Sequence, residues 1–196
     1  MSSRQRSTSP KERCTLKIDI FSTDKKYNVI YADPPWRYGD KRGNSSRWGA
    51  IPYQTMSQSE IKQLPIDGIV GKDCMLFMWA TMPMLREALE VISAWGFKYK
   101  TCAFCWVKTN PKSGSIYSGM GHWTNSNAEL CLLATRGHPK RNRRDVKQIV
   151  LAPVGRHSAK PADVRSRIEA LAGGGSMIEL FAREQADGWD CWGNEV

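Results

Sequence analysis

No apolar run in this 196-residue chain approaches the roughly 20 residues needed to cross a bilayer, which excludes an ordinary membrane-spanning helix. The first thirteen residues, MSSRQRSTSPKER, carry basic groups with no apolar segment behind them, so they do not read as a secretory signal. The expectation is a soluble cytoplasmic protein. Histidine is scarce, and His122, His138 and His157 are scattered. Cys102 and Cys105 have the spacing of half a zinc site, but two further ligands at suitable spacing are missing, so no metal is expected. The six cysteines read instead as reduced thiols, most of them within apolar segments. Acidic residues are also short: 19 against 29 Lys and Arg, a net charge of +10. That balance favours a polyanionic partner.

What is present is a 41% hydrophobic chain, enough for one domain with a real core. Residues 1–24 are expected to form a flexible basic tail, and 25–196 a single domain. Short β-branched or aromatic runs predict strands at Tyr27–Ala32, Cys74–Trp79, Cys102–Val107, Leu130–Thr135, Ile149–Leu151, Met177–Phe181 and Trp189–Trp192. Leu85, Ala88, Leu89, Ile92 and Trp95 repeat at helical spacing between Pro83 and Gly96. Val164, Ile168 and Leu171 do so between Pro161 and Gly173-Gly174-Gly175. Ser57-Gln58-Ser59-Glu60 reads as a capping box, with Pro65 ending a short helix. The glycine run precedes a strand and lacks a Lys-Ser/Thr pair, so it is a helix stop and not a phosphate loop. Strands alternating with helices imply an α/β fold, a mostly parallel twisted sheet with helices on both faces. Such sheets bind ligands beyond the carboxyl ends of their strands.

At one such end stands YADPPWRYGD, from Tyr31 to Asp40. Pro34 and Pro35 cannot continue a central strand, and the residue before a proline is held extended. The corner therefore offers the Asp33 carboxylate, the Pro34 carbonyl and the face of Trp36. Two acceptors beside an aromatic plate suit a planar ring carrying an amino group. The bland reading is a proline turn beside a core tryptophan. Two basic segments complete the picture. Arg37, Lys41, Arg42 and Arg47 interleave with Tyr38 and Trp48. Arg136–Lys147 includes Arg141, Arg143 and Arg144. Both suit a phosphate backbone and an unstacked base, where a solvated loop is the usual fate of a charge run.

In order along the chain come YADPPWRYGD, IPYQTMS, LFMWAT, AWGF, WVKTN, GHWTNSNAELCLLATRG, KPADV and IELFAR. Together they resemble the N(6)-adenine methyltransferase family whose eukaryotic branch holds the catalytic subunit of the mRNA adenosine methyltransferase. The bacterial and phage branch of that family modifies adenine, usually in DNA. The resemblance runs from about Tyr27 to Asn194. It implies a Rossmann-like, S-adenosylmethionine-dependent methyltransferase fold in permuted order, consistent with the absence of G-x-G-x-x-G. It further implies that Asp33, Pro34, Pro35 and Trp36 are catalytic, with Asp33 and the Pro34 carbonyl holding the adenine amine. Arg183, Gln185, Asn194, Glu195 and the upstream pair Asp19 and Ile20 match cofactor-contacting positions, with Asp33 beside them. Tyr53 matches a tyrosine of the first active-site loop, its alternative being a packed loop aromatic. Asn125 and His122 belong to the second loop, where they hold substrate or anchor the loop. Ala128 replaces a lysine of the mRNA-type members, which places TNSNAEL nearer the bacterial and phage branch. The expected substrate is adenine in DNA, with RNA the first alternative. A catalytically inactive nucleic-acid-binding paralogue is the second, disfavoured by an intact Asp33.

Overall fold

All seven predicted strands pair into one sheet in the computed structural model, which describes residues 16–38, 54–121, 123–155 and 159–196. They are β1 (Tyr27–Ala32), β2 (Val70–Ala80), β3 (Lys98–Thr109), β4 (Ala128–Arg136), β5 (Ile149–Pro153), β6 (Met177–Leu180) and β7 (Asp190–Trp192). Their order across the sheet is β5-β3-β4-β2-β1-β6-β7. β1 is parallel to β2 and β6, β6 to β7, and β3 to β5, whereas β4 is antiparallel to both β2 and β3. Every strand but β4 therefore ends at the same edge, as a mostly parallel sheet requires. β4 is reversed because it follows β3 through a hairpin-like extension, bridged at Thr109–Ile116 and Gly119–Ser126. Parallel strands need a crossover, and antiparallel ones do not.

Helices cover both faces. α1 (Gln58–Lys62) and α2 (Leu85–Ala94) lay Ile61, Ala88, Val91 and Ile92 on one layer with Ile30, Leu76 and Leu180. α3 (Asp163–Ala172) lays Val164 and Ile168 on the other, with Val29, Tyr31, Phe77 and Met177. Val29, Ile30, Tyr31 and Ala32 alternate between the two layers, so this part of β1 reads as a continuous apolar run, as burial on both faces demands. The capping box is formed: the Glu60 N–H donates to Ser57 Oγ at 3.3 Å and the Ser57 N–H to Glu60 Oε2 at 2.7 Å. Pro83 lies in a single 3-10 turn, Met82–Met84, that leads into α2. Gly173 ends α3 in the left-handed conformation, φ 79°, which glycine adopts without a Cβ penalty.

The expectation of a flexible tail over residues 1–24 does not hold for the described part, residues 16–24. Ile18 N–H donates to the Cys191 carbonyl at 2.9 Å, and Cys191 N–H donates to that of Leu16 at 2.9 Å. Ile20 is 2% exposed in the core. Asp190, buried in β7, accepts from Tyr27 Oη at 2.7 Å and from Lys25 Nζ, holding this segment to the sheet. Leu16, Ile18 and Ile20 alternate with Lys17 and Asp19 at strand spacing, but the pairing itself depends on β7, far away in sequence. No helix among the described residues is long and apolar enough to cross a membrane.

Candidate active site

Asp33 leaves the sheet at the carboxyl end of β1, one residue past Ala32, which is in register with Met78 of β2 and Leu180 of β6. Past the prolines the chain turns across this edge. The Pro35 carbonyl accepts the Met56 N–H at 2.8 Å, and Arg37 N–H donates to Met56 at 3.0 Å. Two sequence expectations change here. The Pro34 carbonyl is not free: it accepts the Trp36 N–H at 2.9 Å, which leaves one lone pair for another donor. Trp36 is not an open plate. It is 6% exposed, and its indole N–H donates to the Trp79 carbonyl at 3.3 Å. A ring this large gains most from burial once its N–H has an acceptor. Trp36 therefore walls the site from inside.

Beside Asp33 lies a charge cluster that connects three distant parts of the chain. Lys160 Nζ is 2.8 Å from Asp33 Oδ2 and 3.3 Å from Glu129 Oε2, and Lys108 Nζ is 2.6 Å from Glu129 Oε1. The side chains of Lys160, Glu129 and Asp33 are 12%, 9% and 20% exposed. Burial alone would push the Lys160 ammonium down, but the Asp33 and Glu129 carboxylates outweigh it and hold it above the ordinary lysine range. Burial likewise opposes ionisation of Glu129, yet Lys160 and Lys108 keep its carboxyl below the usual range. The four groups balance in charge, which allows ionised side chains to persist with so little water. Lys160 also lies 5.5 Å from the centre of the Trp79 ring. Neither Glu129 nor Lys160 figures among the sequence candidates. Glu129 did carry a signal, a lone carboxylate within the apolar run of β4.

Two cavities meet at Asp33. The smaller, about 100 Å³, is lined by Asp33, Pro34, Trp36, Trp79, Glu129 and Lys160. The larger, about 600 Å³, has Asp33, Phe181, Arg183, Trp192, Asn194 and Glu195 in its wall. Arg183 and Pro35 border both. In the larger one Phe181 and Trp192 meet edge to face at 5.4 Å, and Phe21 closes on Trp192 at 6.2 Å. Arg183 Nε is 3.6 Å from Glu195 Oε1. Phe181 has φ 61°, a genuine outlier for a bulky side chain that costs of order 1–3 kcal/mol. Such strain persists where the surrounding structure imposes it, here at the turn that brings Arg183 to the cleft. Gly193 is required by close approach. A Cβ there would stand 2.2 Å from the Ala182 carbonyl oxygen, on the loop that the Ala182 N–H to Trp192 bond joins to β7.

Of the expected cofactor residues, Asp33, Arg183, Asn194 and Glu195 come together. Gln185 is exposed and lines neither cavity. Asp19 accepts from Phe21 N–H and Ser22 Oγ within its own turn, and Ile20 faces the core, so it is Phe21 that reaches the cleft from this segment. Arg37 is spent on the rim, donating to the Thr55 carbonyl at 3.1 Å and facing Glu60 at 3.7 Å. Asn125 is exposed on the hairpin and lines neither cavity. Tyr53, Trp48, Lys41, Arg42, Arg47 and His122 lie outside the described residues.

Arg141, Arg143 and Arg144 are not at the site. Because β4 runs backward, Arg136 is in register with Cys74, near the start of β2. That is roughly 17 Å down the ladder from Asp33, at about 3.3 Å per residue. The following loop packs against the last turn of α3, where the Asn142 N–H donates to Leu171 at 2.7 Å. Sequence proximity to β4 did not reveal which end of the sheet the charges would reach.

A mostly parallel sheet with one reversed strand, an acid at the end of β1 and a two-part cleft beyond the strand ends make an α/β Rossmann-like fold, which the family match identifies as a methyltransferase fold. The chain belongs to the MT-A70 family, whose profile matches residues 27–195, and is an adenine methyltransferase. It is 37% identical over 190 residues to the Type II methyltransferase M.MunI of Mycoplasma sp, covering 88% of this chain and 78% of that protein. It is 33% identical over 187 residues to the N(6)-adenosine-methyltransferase subunit METTL3 of Danio rerio, and 30% over 185 residues to the N(6)-adenosine-methyltransferase MT-A70-like protein of Arabidopsis thaliana. Those two matches cover 93% of this chain but only 30% and 25% of the relatives. Methyltransferases of this family are in general S-adenosylmethionine dependent.

Proposed function

We propose that this cleft carries a methyl group from S-adenosylmethionine to the exocyclic amine of adenine in DNA. The observation that carries this reading is the position of Asp33 where a small charged cavity opens into a larger aromatic one. The larger cavity fits the cofactor by its donor set. Phe181, Trp192 and Phe21 offer an apolar enclosure for a purine, Glu195 and Asn194 offer partners for ribose hydroxyls, and Asp33 faces cationic groups. When bound, S-adenosylmethionine supplies an electrophilic methyl group on a sulfonium.

The smaller cavity would receive the target base. The adenine amine is a poor nucleophile because its lone pair is delocalised into the ring. Asp33 and the remaining lone pair of the Pro34 carbonyl each accept one of its N–H bonds, favouring a more tetrahedral nitrogen. Those bonds strengthen as positive charge develops on nitrogen, so they stabilise the transition state more than the ground state. Lys160 engages Oδ2 of Asp33, and Oδ1 has no partner among the described residues. Lys160 thereby holds the carboxylate in one orientation. Much of the remaining rate comes from positioning.

M.MunI, matched over most of its length, favours DNA over RNA. In a duplex the target must be unpaired and turned out, at a cost of a few kcal/mol. The test is methyl transfer from labelled cofactor to unmethylated plasmid DNA and to an RNA transcript of the same sequence. Label in DNA is expected. Label in RNA alone overturns the choice of polymer, and label only in a free adenine nucleotide overturns the nucleic-acid reading. For the cofactor, Arg183→Ala and Asn194→Ala are each expected to weaken binding roughly tenfold by calorimetry, the loss of one bond to a charged or polar group. Unchanged affinity in both variants would place the cofactor elsewhere.

A further inference from the structure

The loop between β4 and β5 carries charges that the active site does not use. Arg136 is paired with Asp67 and Arg143 with Asp145. Lys140, Arg141, Arg144 and Lys147 are exposed, and their side chains make no hydrogen bond or ion pair among the described residues. Lys98 and Lys100, equally exposed, start the neighbouring strand β3. Like charges gathered without partners repel one another and destabilise the compact state.

This is not a loosely tethered charge run. The His138 N–H donates to Asp73 Oδ1 at 2.7 Å, and Asn142 donates to Leu171 from its N–H and to Ala170 at 3.3 Å from its side chain. Arg167 Nη1 donates to the carbonyls of Lys147 and Ile149, each at 2.8 Å, and Gln148 Nε2 donates to that of Cys102 at 2.6 Å. The groups that anchor the loop are mostly not the groups that carry its free charge. The fold thus holds Lys140, Arg141 and Arg144 in place toward the end of the sheet opposite Asp33, whereas Lys147, next to the Gln148 whose carbonyl accepts the Cys105 N–H of β3, stands level with Asp33 at the outer side of the sheet.

We propose that Lys140, Arg141 and Arg144, with Lys98 beside them, seat a second stretch of nucleic-acid backbone remote from the cleft. The inference rests on the reading that DNA is the substrate. Duplex DNA has a persistence length of about 150 bp, so a short segment cannot lie in the cleft and bend round to the far end of the sheet. The two surfaces therefore hold different segments of one long molecule. The second contact raises the local concentration of target sites without touching the reacting atoms, so it acts on KM and not on kcat.

The test uses the full chain and the variant K140A/R141A/R144A, whose substitutions are all exposed. Methyl transfer is measured on unmethylated plasmid DNA, intact or cut to fragments of about 12 bp, too stiff to turn from one end of the sheet to the other. On intact DNA the variant is expected to raise KM roughly tenfold at unchanged kcat. On fragments it should match the unaltered chain. Binding of a 60-bp duplex of arbitrary sequence is measured alongside at several salt concentrations. The slope of log K against log salt should become shallower by about 2 to 3, for three lost phosphate contacts. An equal KM on intact DNA, an equal effect on fragments, or an unchanged salt slope overturns the proposal; a surface built for an acidic protein would leave that slope unchanged. If no DNA is methylated by the unaltered chain, the proposed function fails, while the salt slope still decides whether this surface holds nucleic acid.

Discussion

Asp33→Ala is expected to lower methyl transfer by about 10²–10³-fold or more, the usual loss for a group that stabilises developing charge in a water-poor site. Folding should survive, because the charge cluster keeps a partner for each remaining ion: Lys160 retains Glu129, and Glu129 retains Lys108. Asp33→Asn should be nearly as damaging. It preserves shape but loses the negative charge and replaces one acceptor edge by a donor that cannot take an amine N–H. Single-turnover transfer from labelled cofactor, with a thermal melt of each variant, separates chemistry from folding. A folded Asp33→Ala protein that turns over near the unaltered rate would refute the mechanism.

Lys160→Met should damage both function and stability. It leaves two carboxylates facing the same small cavity without their shared cation. Methyl transfer is expected to fall about 10²-fold, because Asp33 loses the partner that orients it. Removing one member of a buried ion cluster costs about 3 kcal/mol, the low end of its range because Lys108 remains on Glu129. The pH dependence distinguishes this from a packing defect. Lys160 is held above the ordinary lysine value, so its contribution is present below about pH 10.4 and is lost as pH rises through the folded-state value. Glu129 is held below the ordinary carboxyl value, so its contribution is present above about pH 4.3 and is lost as pH falls through the folded-state value. Between these limits the unaltered cluster contributes fully. In Lys160→Met the alkaline loss should vanish, and the acid loss should begin at higher pH, since Glu129 then lacks one of its two cations. Lys160→Arg should restore part of the activity. Melting temperature against pH and the pH profile of kcat/KM read these outcomes. A Lys160→Met protein with the unaltered pH dependence would show that the cluster is structural filler.

The folded chain shows which conclusions local pattern can support. The runs at Tyr27–Ala32 and Met177–Phe181 are β-branched or aromatic and end in proline or a turn, so their strand state and the exit point of Asp33 were legible residue by residue. Helix limits at Ser57, Gly96 and Gly173 were legible for the same reason, since capping and left-handed backbone are properties of a few adjacent residues. Arg183 and Asn194 were assigned to one cleft by the family resemblance, and the folded chain brings them together because each follows a strand parallel to β1, whose ends reach one edge.

Strand direction has no local signature. Ala128–Arg136 reads as a strand whichever way it runs, and its reversal follows from the hairpin-like connection to β3. That reversal put Glu129 at the edge where Asp33 leaves the sheet and carried Arg141, Arg143 and Arg144 to the opposite one. The meeting of Lys160 with Asp33, 127 residues apart, likewise belongs to the assembled sheet, because charge acts through distance in space and not along the chain. Trp36 shows the same division. Its place beside Asp33 was written in the sequence. Its burial was decided only when β2 brought the Trp79 carbonyl within reach of the indole N–H, giving a large ring both apolar cover and a hydrogen-bond partner.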